Sequence, residues 1–337
     1  MKICVVGVGR AGMVHARNYR ENVPGASVAA LVDADLGRAK KAAQELGIDL
    51  YFANIYRAIQ EAEFDAVCIT TPTFTHAEIA IASAQAGKHI FCEKPMALTL
   101  EECQDMIDAA REAGVKLQIG FMRRFDPGFI AAKEKIREGV IGEVMTIKSV
   151  GRGPGLPPRW ACDPQTGNGM LAEVNSHDFD SIRWLAGSEY ERVYAEAGVF
   201  KCQDLKAEFP NFYDNAIVSM RMRNGVLALL DGACPASYGY DARVEILGTE
   251  GVMLIGDLFY LKVTTCTKES GIVAPTFPSW RDRFREGYIA EARHFVNCIL
   301  AGQEPAVTGE DGKRAVEIVL AANRSIQTGL PVTLPLD

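Results

Sequence analysis

The chain opens on Met1-Lys2-Ile3-Cys4-Val5-Val6, an apolar run that breaks at Gly7, and the same texture recurs through the first third of the sequence. Continuous apolar runs at Ile3–Val8, Ser27–Val32, Ala66–Thr70, His89–Cys92 and Lys116–Gly120 alternate with helical periodicity at Asp35–Leu46, His76–Ala86 and Leu100–Ala113. Strands that lack polar alternation are those covered on both faces. The rhythm therefore predicts a doubly wound parallel sheet. After Gly120 the texture changes: a helix near Pro127–Glu138, a Gly/Pro-rich loop at Gly151–Pro158 and a helix from Leu171 to Leu185 lead into a strand-rich segment. There Tyr213–Arg223 and Val226–Ala233 flank Asn224-Gly225, a dipeptide favoured in two-residue hairpin turns. Extended runs follow at Arg243–Leu247, Val252–Ile255 and Tyr260–Thr265, and two helices, Arg283–Ala301 and Asp311–Thr328, close the chain.

The expected architecture is α/β. Residues 1–120 form the parallel-sheet domain, and residues 121–337 form an α+β domain with a largely antiparallel open sheet, the last helix being able to pack back on the first domain. One face of that open sheet meets helices and the other is available to a second copy, so a homodimer or homotetramer is expected. A length of 337 residues agrees with two domains, because one hydrophobic core stops growing below that size. With 48% hydrophobic and 23% charged residues the composition is that of a globular protein.

A net charge of -7 with no basic block excludes a nucleic-acid surface and favours small-molecule partners. No apolar run approaches a membrane span, and the apolar start is too short for a signal peptide. The nine cysteines are scattered, with no C-x-x-C pair, which argues for a reducing, cytoplasmic location and against a disulfide framework or a metal site.

Directly after the first strand stands Gly7-Val8-Gly9-Arg10-Ala11-Gly12, followed by a helical stretch. In that context G-x-G-x-x-G allows a tight turn and close backbone approach to a pyrophosphate seated on the helix N-terminus. Asp33 lies 21 residues beyond Gly12, at the end of the second strand, where a carboxylate can bond the adenosine ribose hydroxyls. That charge favours NAD over NADP, although Arg38 nearby leaves dual use open. The bland alternative is a purely structural glycine turn.

Two later clusters carry candidate chemistry. Glu93-Lys94-Pro95 follows the fourth strand at the carboxyl edge, where ligands of open α/β sheets bind, and a lysine there can polarise a carbonyl or share a hydroxyl proton. Taken alone, a surface lysine before a turn proline is the simpler reading. Glu173-Val174-Asn175-Ser176-His177-Asp178 reads as helix, which places Glu173 and His177 four residues apart on one face. Such a pair can move a proton, but it is also an ordinary solvated helix face or, with further ligands, a metal half-site.

The motifs taken together resemble the Gfo/Idh/MocA family of sugar and inositol dehydrogenases. The match runs in order through Gly7–Gly12, Thr71-Pro72-Thr73 with His76, Glu93-Lys94-Pro95, Gly120-Phe121-Met122-Arg123-Arg124-Phe125-Asp126 and His177-Asp178-Phe179-Asp180, nearly the whole chain. The resemblance implies an N-terminal Rossmann domain and a catalytic group of Lys94, His177 and the residue at 173. Many members carry Asp at that last position, whereas this chain carries the longer Glu173. It further implies cofactor contacts from Gly7, Gly9, Arg10, Ala11, Gly12, Asp33, Arg38, Thr71, Pro72, Thr73, His76, Glu93, Lys94 and Arg124, and a cis bond at Lys94-Pro95.

Substrate recognition is expected from Lys94, Arg159, Trp160, Asn175, His177, Tyr238 and Tyr288, since a polyol needs donors and acceptors beside a flat apolar surface. Tyr288 also belongs to a stripe with Phe284, Ala292 and Phe295 that reads equally as core. His15, His89 and His294 read as structural. The expected activity is reversible NAD-dependent oxidation of a secondary alcohol on a cyclic polyol or sugar, inositol 2-dehydrogenase-like. Reduction of another carbonyl or enone on the same frame, and a non-catalytic NAD(P)-sensing regulator, are the alternatives.

Overall fold

The computed structural model describes residues 1–260 and 263–336, with the side chain of Pro164 also outside the description. Contacts divide the chain into two compact units: Met1–Phe125 with Glu286–Val316, and Asp126–Arg285 with Glu317–Asp337.

The first unit runs β1 (Lys2–Val6), α1 (Arg10–Glu21), β2 (Ser27–Val32), α2 (Leu36–Leu46), β3 (Leu50–Phe52), α3 (Ile55–Glu61), β4 (Ala66–Ile69), α4 (His76–Gln85), β5 (His89–Glu93), α5 (Leu100–Glu112) and β6 (Leu117–Gly120). Its six strands pair in the order β3-β2-β1-β4-β5-β6, all parallel. The order reverses between β1 and β4, which makes the carboxyl ends of these two strands the switch point where ligands of such sheets bind. Because the strands are covered on both faces they are apolar throughout; Ile3, Val5, Leu31, Cys68 and Phe91 are buried beneath Tyr19 of α1. Local signals start and stop the helices: Asp35 caps α2 by accepting from the Arg38 amide, Gly47 closes it with φ 62°, and Thr99 with Glu102 forms a reciprocal capping box on α5.

The second part of the chain adds α6 (Pro127–Arg137), β7 (Val144–Arg152), α7 (Arg159–Cys162), α8 (Pro164–Gly167), α9 (Gly169–Glu173), α10 (Ser176–Ala186), β8 (Tyr190–Gly198), α11 (Gln203–Glu208), β9 (Asn215–Met222), β10 (Leu227–Ala233), β11 (Asp241–Gly248) and β12 (Val252–Ile255). It ends with β13 (Thr265–Thr267), β14 (Gly271–Val273), α12 (Trp280–Arg283), α13 (Arg285–Ala301), α14 (Gly309–Thr328) and β15 (Val332–Thr333). Seven strands form a mixed sheet, β12-β11-β7-β10-β9-β8-β15, antiparallel except where β7 runs parallel to β10. The fold class is thus the one expected, a parallel sheet plus a mostly antiparallel one.

The hairpin between β9 and β10 turns through three residues, Arg223, Asn224 and Gly225, and not the two expected: the Met222 amide donates to the Val226 carbonyl at 2.9 Å, and Gly225 alone takes a positive φ, 92°. Register puts Val218, Leu230, Ile147 and Ile246 on the buried face of this sheet and Leu227, Leu247, Val252 and Leu254 on the exposed one. The expected strand Tyr260–Thr265 includes Leu261 and Lys262, which lie outside the described residues; Thr265 instead begins β13.

Several elements break from the sequence expectation, the nine-residue β8 among them. β3 and α3 are too short, at three and seven residues, to carry a periodic signal. β7 was masked by its own interior: Ser149 and Gly151 occupy buried positions where an apolar residue would mark a strand. The single helix expected over Leu171–Leu185 is two, α9 and α10, separated at Val174 and Asn175. The reason is a side chain, since the Asn175 amide donates to the Gly151 carbonyl at 2.9 Å and to Asp178 Oδ2 at 2.9 Å instead of facing outward from a continuous helix.

Candidate active site

In the first unit the site is built by strand ends. With all strands parallel, Gly7 after β1, Asp33 after β2, Thr71 after β4 and Lys94 after β5 fall on one sheet edge. Gly7 has φ 90°, and a Cβ there would press on the Thr70 carbonyl at 2.8 Å; one on Gly12 would overlap the Gly7 carbonyl oxygen. Gly9 is different, for a Cβ on it meets nothing within 4 Å. That open position, above a helix N-terminus which no side chain caps, is where a pyrophosphate can reach the amides of Arg10, Ala11 and Gly12. The residues therefore fit a dinucleotide.

Asp33 is almost fully buried. Its Oδ2 accepts from the Val8 amide at 3.0 Å, its Oδ1 from the Asp35 amide at 2.9 Å, and the exposed Arg38 guanidinium lies 3.4 Å from both oxygens. The acid is thus tied to the glycine turn itself. Asp33→Ala is expected to weaken NAD about tenfold, the worth of one charge-assisted hydrogen bond, and to narrow the margin over NADP. Calorimetric titration with both nucleotides measures it, and an unchanged ratio of affinities would refute the role.

The β4 and β5 corners are laced together. Thr75 donates to the Thr71 hydroxyl at 2.7 Å, and the His76 ring nitrogens lie 2.9 Å from the Pro95 carbonyl and 2.8 Å from the Thr71 carbonyl. Burial lowers the His76 pKa against the pull of these two carbonyls. Nominated as a cofactor contact, His76 has both nitrogens committed inside the protein. Glu93, from the same nomination, is also buried: Oε1 meets His15 Nε2 at 2.7 Å and Oε2 accepts the Lys94 amide at 3.1 Å. Lys94 itself is half-buried, and the Lys94–Pro95 bond is cis. Arg124 donates to Asp311 Oδ1 at 3.0 Å, so its guanidinium is anchored.

In the second unit the nominated Glu173 and His177 flank the break between α9 and α10. Glu173 ends α9 half-buried and His177 lies in the first turn of α10, buried. The break removes the guarantee, which a continuous helix would give, that the two share a face. What sequence reading missed is the pedestal below. Asp178 is fully buried, accepts from the Ser149 hydroxyl at 2.6 Å and from Asn175, and stands against Gly151, where a Cβ would run into its carboxylate. Gly232 on β10 likewise leaves room for Asn175, its Cβ position being 2.6 Å from Oδ1. The signal was present as two glycines and a serine on inward-facing strand positions.

Of the nominated substrate contacts, Asn175 is fully buried with its amide spent on this pedestal. Tyr238 donates to Asp241 at 2.7 Å and accepts from Arg152, Arg159 is paired with Glu208, and Trp160 lies in α7. Tyr288, in the first unit, is buried with its ring 5.6 Å from that of His15.

Comparison with known proteins gives this arrangement a family. The model of the Gfo/Idh/MocA oxidoreductase family's NAD-binding Rossmann fold matches residues 1–121, and the model of its C-terminal alpha/beta domain matches residues 133–334. The chain belongs to the Gfo/Idh/MocA family. It is 36% identical to the scyllo-inositol 2-dehydrogenase (NAD(+)) of Bacillus subtilis over 99% of this chain and 96% of that protein. It is 32% identical to the myo-inositol 2-dehydrogenase of Thermotoga maritima over 99% and 98% respectively. Among solved structures, the scyllo-inositol dehydrogenase of Lactobacillus casei with bound NAD(H) and scyllo-inositol superposes with a TM-score of 0.91 at 31% identity, covering 99% of this chain and 98% of that one. As a Gfo/Idh/MocA member the protein is an NAD-dependent oxidoreductase. Among the described residues no helix is long and apolar enough to cross a membrane.

Proposed function

We propose that this protein oxidises a secondary hydroxyl of a cyclic polyol of the inositol type, with NAD as acceptor, in the cytoplasm and as a homo-oligomer. The observation that carries the reading is that Lys94 lies half-buried on the same sheet edge as the glycine turn and Asp33. The names of the full-length relatives supply the substrate class. Bound NAD supplies the nicotinamide that accepts two electrons from the alcohol carbon.

The chain's own part is proton handling and placement. His177 takes the hydroxyl proton, Lys94 steadies the oxygen as negative charge builds on it, and Glu173 orients one of the two. Thr71, Pro72, Thr73 and Arg124 frame the nicotinamide end, and Arg159, Trp160 and Tyr238 are the remaining candidates for hydroxyl recognition. The exposed face carrying Leu227, Leu247, Val252 and Leu254 supports self-association, because apolar side chains in such a row are costly in water.

The test is turnover of NAD with myo-inositol, scyllo-inositol and glucose, followed by the absorbance of the reduced nicotinamide. Oxidation of at least one inositol in preference to glucose is expected. Tight NAD binding with no turnover of any polyol would replace this reading with that of a nucleotide sensor.

A further inference from the structure

Beneath the Lys94 corner the first unit holds ionisable groups that the proposed reaction does not use. His15 on α1, Glu93 at the end of β5 and Glu291 on α13 turn side-chain atoms to within 4.8 Å of one another. His15 and Glu291 are 0% exposed and Glu93 only 6%. Glu93 is fully engaged through His15 and the Lys94 amide. Glu291 is not, since neither of its carboxyl oxygens has a hydrogen-bond partner among the described residues.

The other ionisable groups that interact electrostatically with this set are Tyr19 of α1, Cys68 of β4 and Lys94 beside Glu93, while β6 contributes the neutral Gln118, whose side-chain amide donates to the Glu291 backbone carbonyl at 3.2 Å. Only His15 and Lys94 among these can supply positive charge, and Glu93 lies against both. A second carboxylate in the same dry space would have no counter-charge of its own, and an isolated buried charge costs far more than a buried neutral acid.

We propose that Glu291 is a positioning residue: it enters the fold as a neutral carboxylic acid that fills the buried space within 4.8 Å of Glu93, beside the carboxylate that holds the Lys94 backbone. The proposal rests on the reading of Lys94 given above. Direction of charge agrees with the geometry. Burial first, and then the Glu93 charge, push the Glu291 carboxyl well above the ordinary range. Burial alone would raise Glu93 as well, but His15 and Lys94 outweigh it and hold that group low. Three ligand-type atoms in one place also invite a divalent cation, which would require Glu291 ionised. The two occupancies, a proton or a metal, are therefore separable.

The sign of the pH effect follows by linkage. Folded Glu291 keeps its proton where the unfolded chain, with an ordinary glutamate value of about 4.3, has released it. Stability from this group is therefore lost as pH rises from that value towards the raised one.

The experiment compares the wild type with Glu291→Gln and Glu291→Ala. At neutral pH the infrared difference spectrum between wild type and Glu291→Gln should contain the carbonyl band of one protonated carboxylic acid. The unfolding midpoint of the wild type should fall more steeply from mildly acid to mildly alkaline buffer than that of Glu291→Gln. Glu291→Ala should lower kcat about tenfold with little change in KM, and Glu291→Gln, which keeps shape and neutrality, should restore most of it. Absence of the acid band, or one tightly held divalent ion per purified chain that Glu291→Gln releases, would overturn the proposal. Should Lys94→Ala keep its turnover while the band persists, the assignment of Lys94 fails and the state of Glu291 stands.

Discussion

Replacing His177 or Lys94 by alanine lowers kcat by about a hundredfold to ten-thousandfold and leaves the affinity for NAD nearly unchanged, the range typical of a lost proton-transfer partner. The division between the two measurements follows from the fold. The nucleotide turn, Asp33 and the α1 N-terminus belong to other strand ends than Lys94, and His177 lies on α10. Removing either side chain leaves the turn and its amides in place. Steady-state kinetics with an inositol, beside fluorescence titration of NAD, separates the effects, and full turnover in both variants would end the assignment. His177→Ala has a structural control in the same turn, because the Asp178 contacts with Ser149 and Asn175 do not involve the imidazole.

Gly12→Ala should weaken NAD about tenfold to a hundredfold and lower the unfolding midpoint, since overpacking of this kind costs about 1–3 kcal/mol. The new methyl would overlap the Gly7 carbonyl oxygen and stand 2.7 Å from the Thr70 hydroxyl, which itself donates to that carbonyl at 2.5 Å. Backbone on one side and a pinned hydroxyl on the other leave no flexible group to move aside. Gly9→Ala is the matched comparison. Its methyl points into open space, so the apoprotein should melt as the wild type does while NAD binding suffers from the blocked approach. Equal melting losses in both variants would mean that these glycines serve only the turn.

Much of the first unit was legible because parallel strands buried on both faces have nothing polar to show. Ile3, Val5, Val67, Ile69 and Ile90 are all completely buried, and their runs stand out from any surface segment. Legibility failed where a strand's interior is chosen for something other than oil. β7 faces α10 with Ser149 and Gly151 because Asp178 and Asn175 occupy the space a larger apolar residue would fill.

The candidate site was legible to the extent that chemistry sits on motifs. G-x-G-x-x-G, Asp33 and Lys94 could be placed by strand order alone, whereas the side-chain commitments of His76 and Asn175 depend on carbonyls remote in sequence. Glu291 left a readable trace that local reasoning passed over. It stands on the buried stripe of α13 with Tyr288, Ala292 and Phe295, and a carboxyl in that company has to be explained by a partner or a proton.

The bond from the Val8 amide to Asp33 makes retooling for a phosphorylated nucleotide a two-variable problem. A substitution that only deletes the repelling charge also unties the loop that must cradle the diphosphate, so gains in tolerance arrive together with losses in grip. Asp33→Asn keeps an acceptor for that amide while removing the charge, and it is the more promising first step for anyone redirecting this scaffold to a different electron carrier.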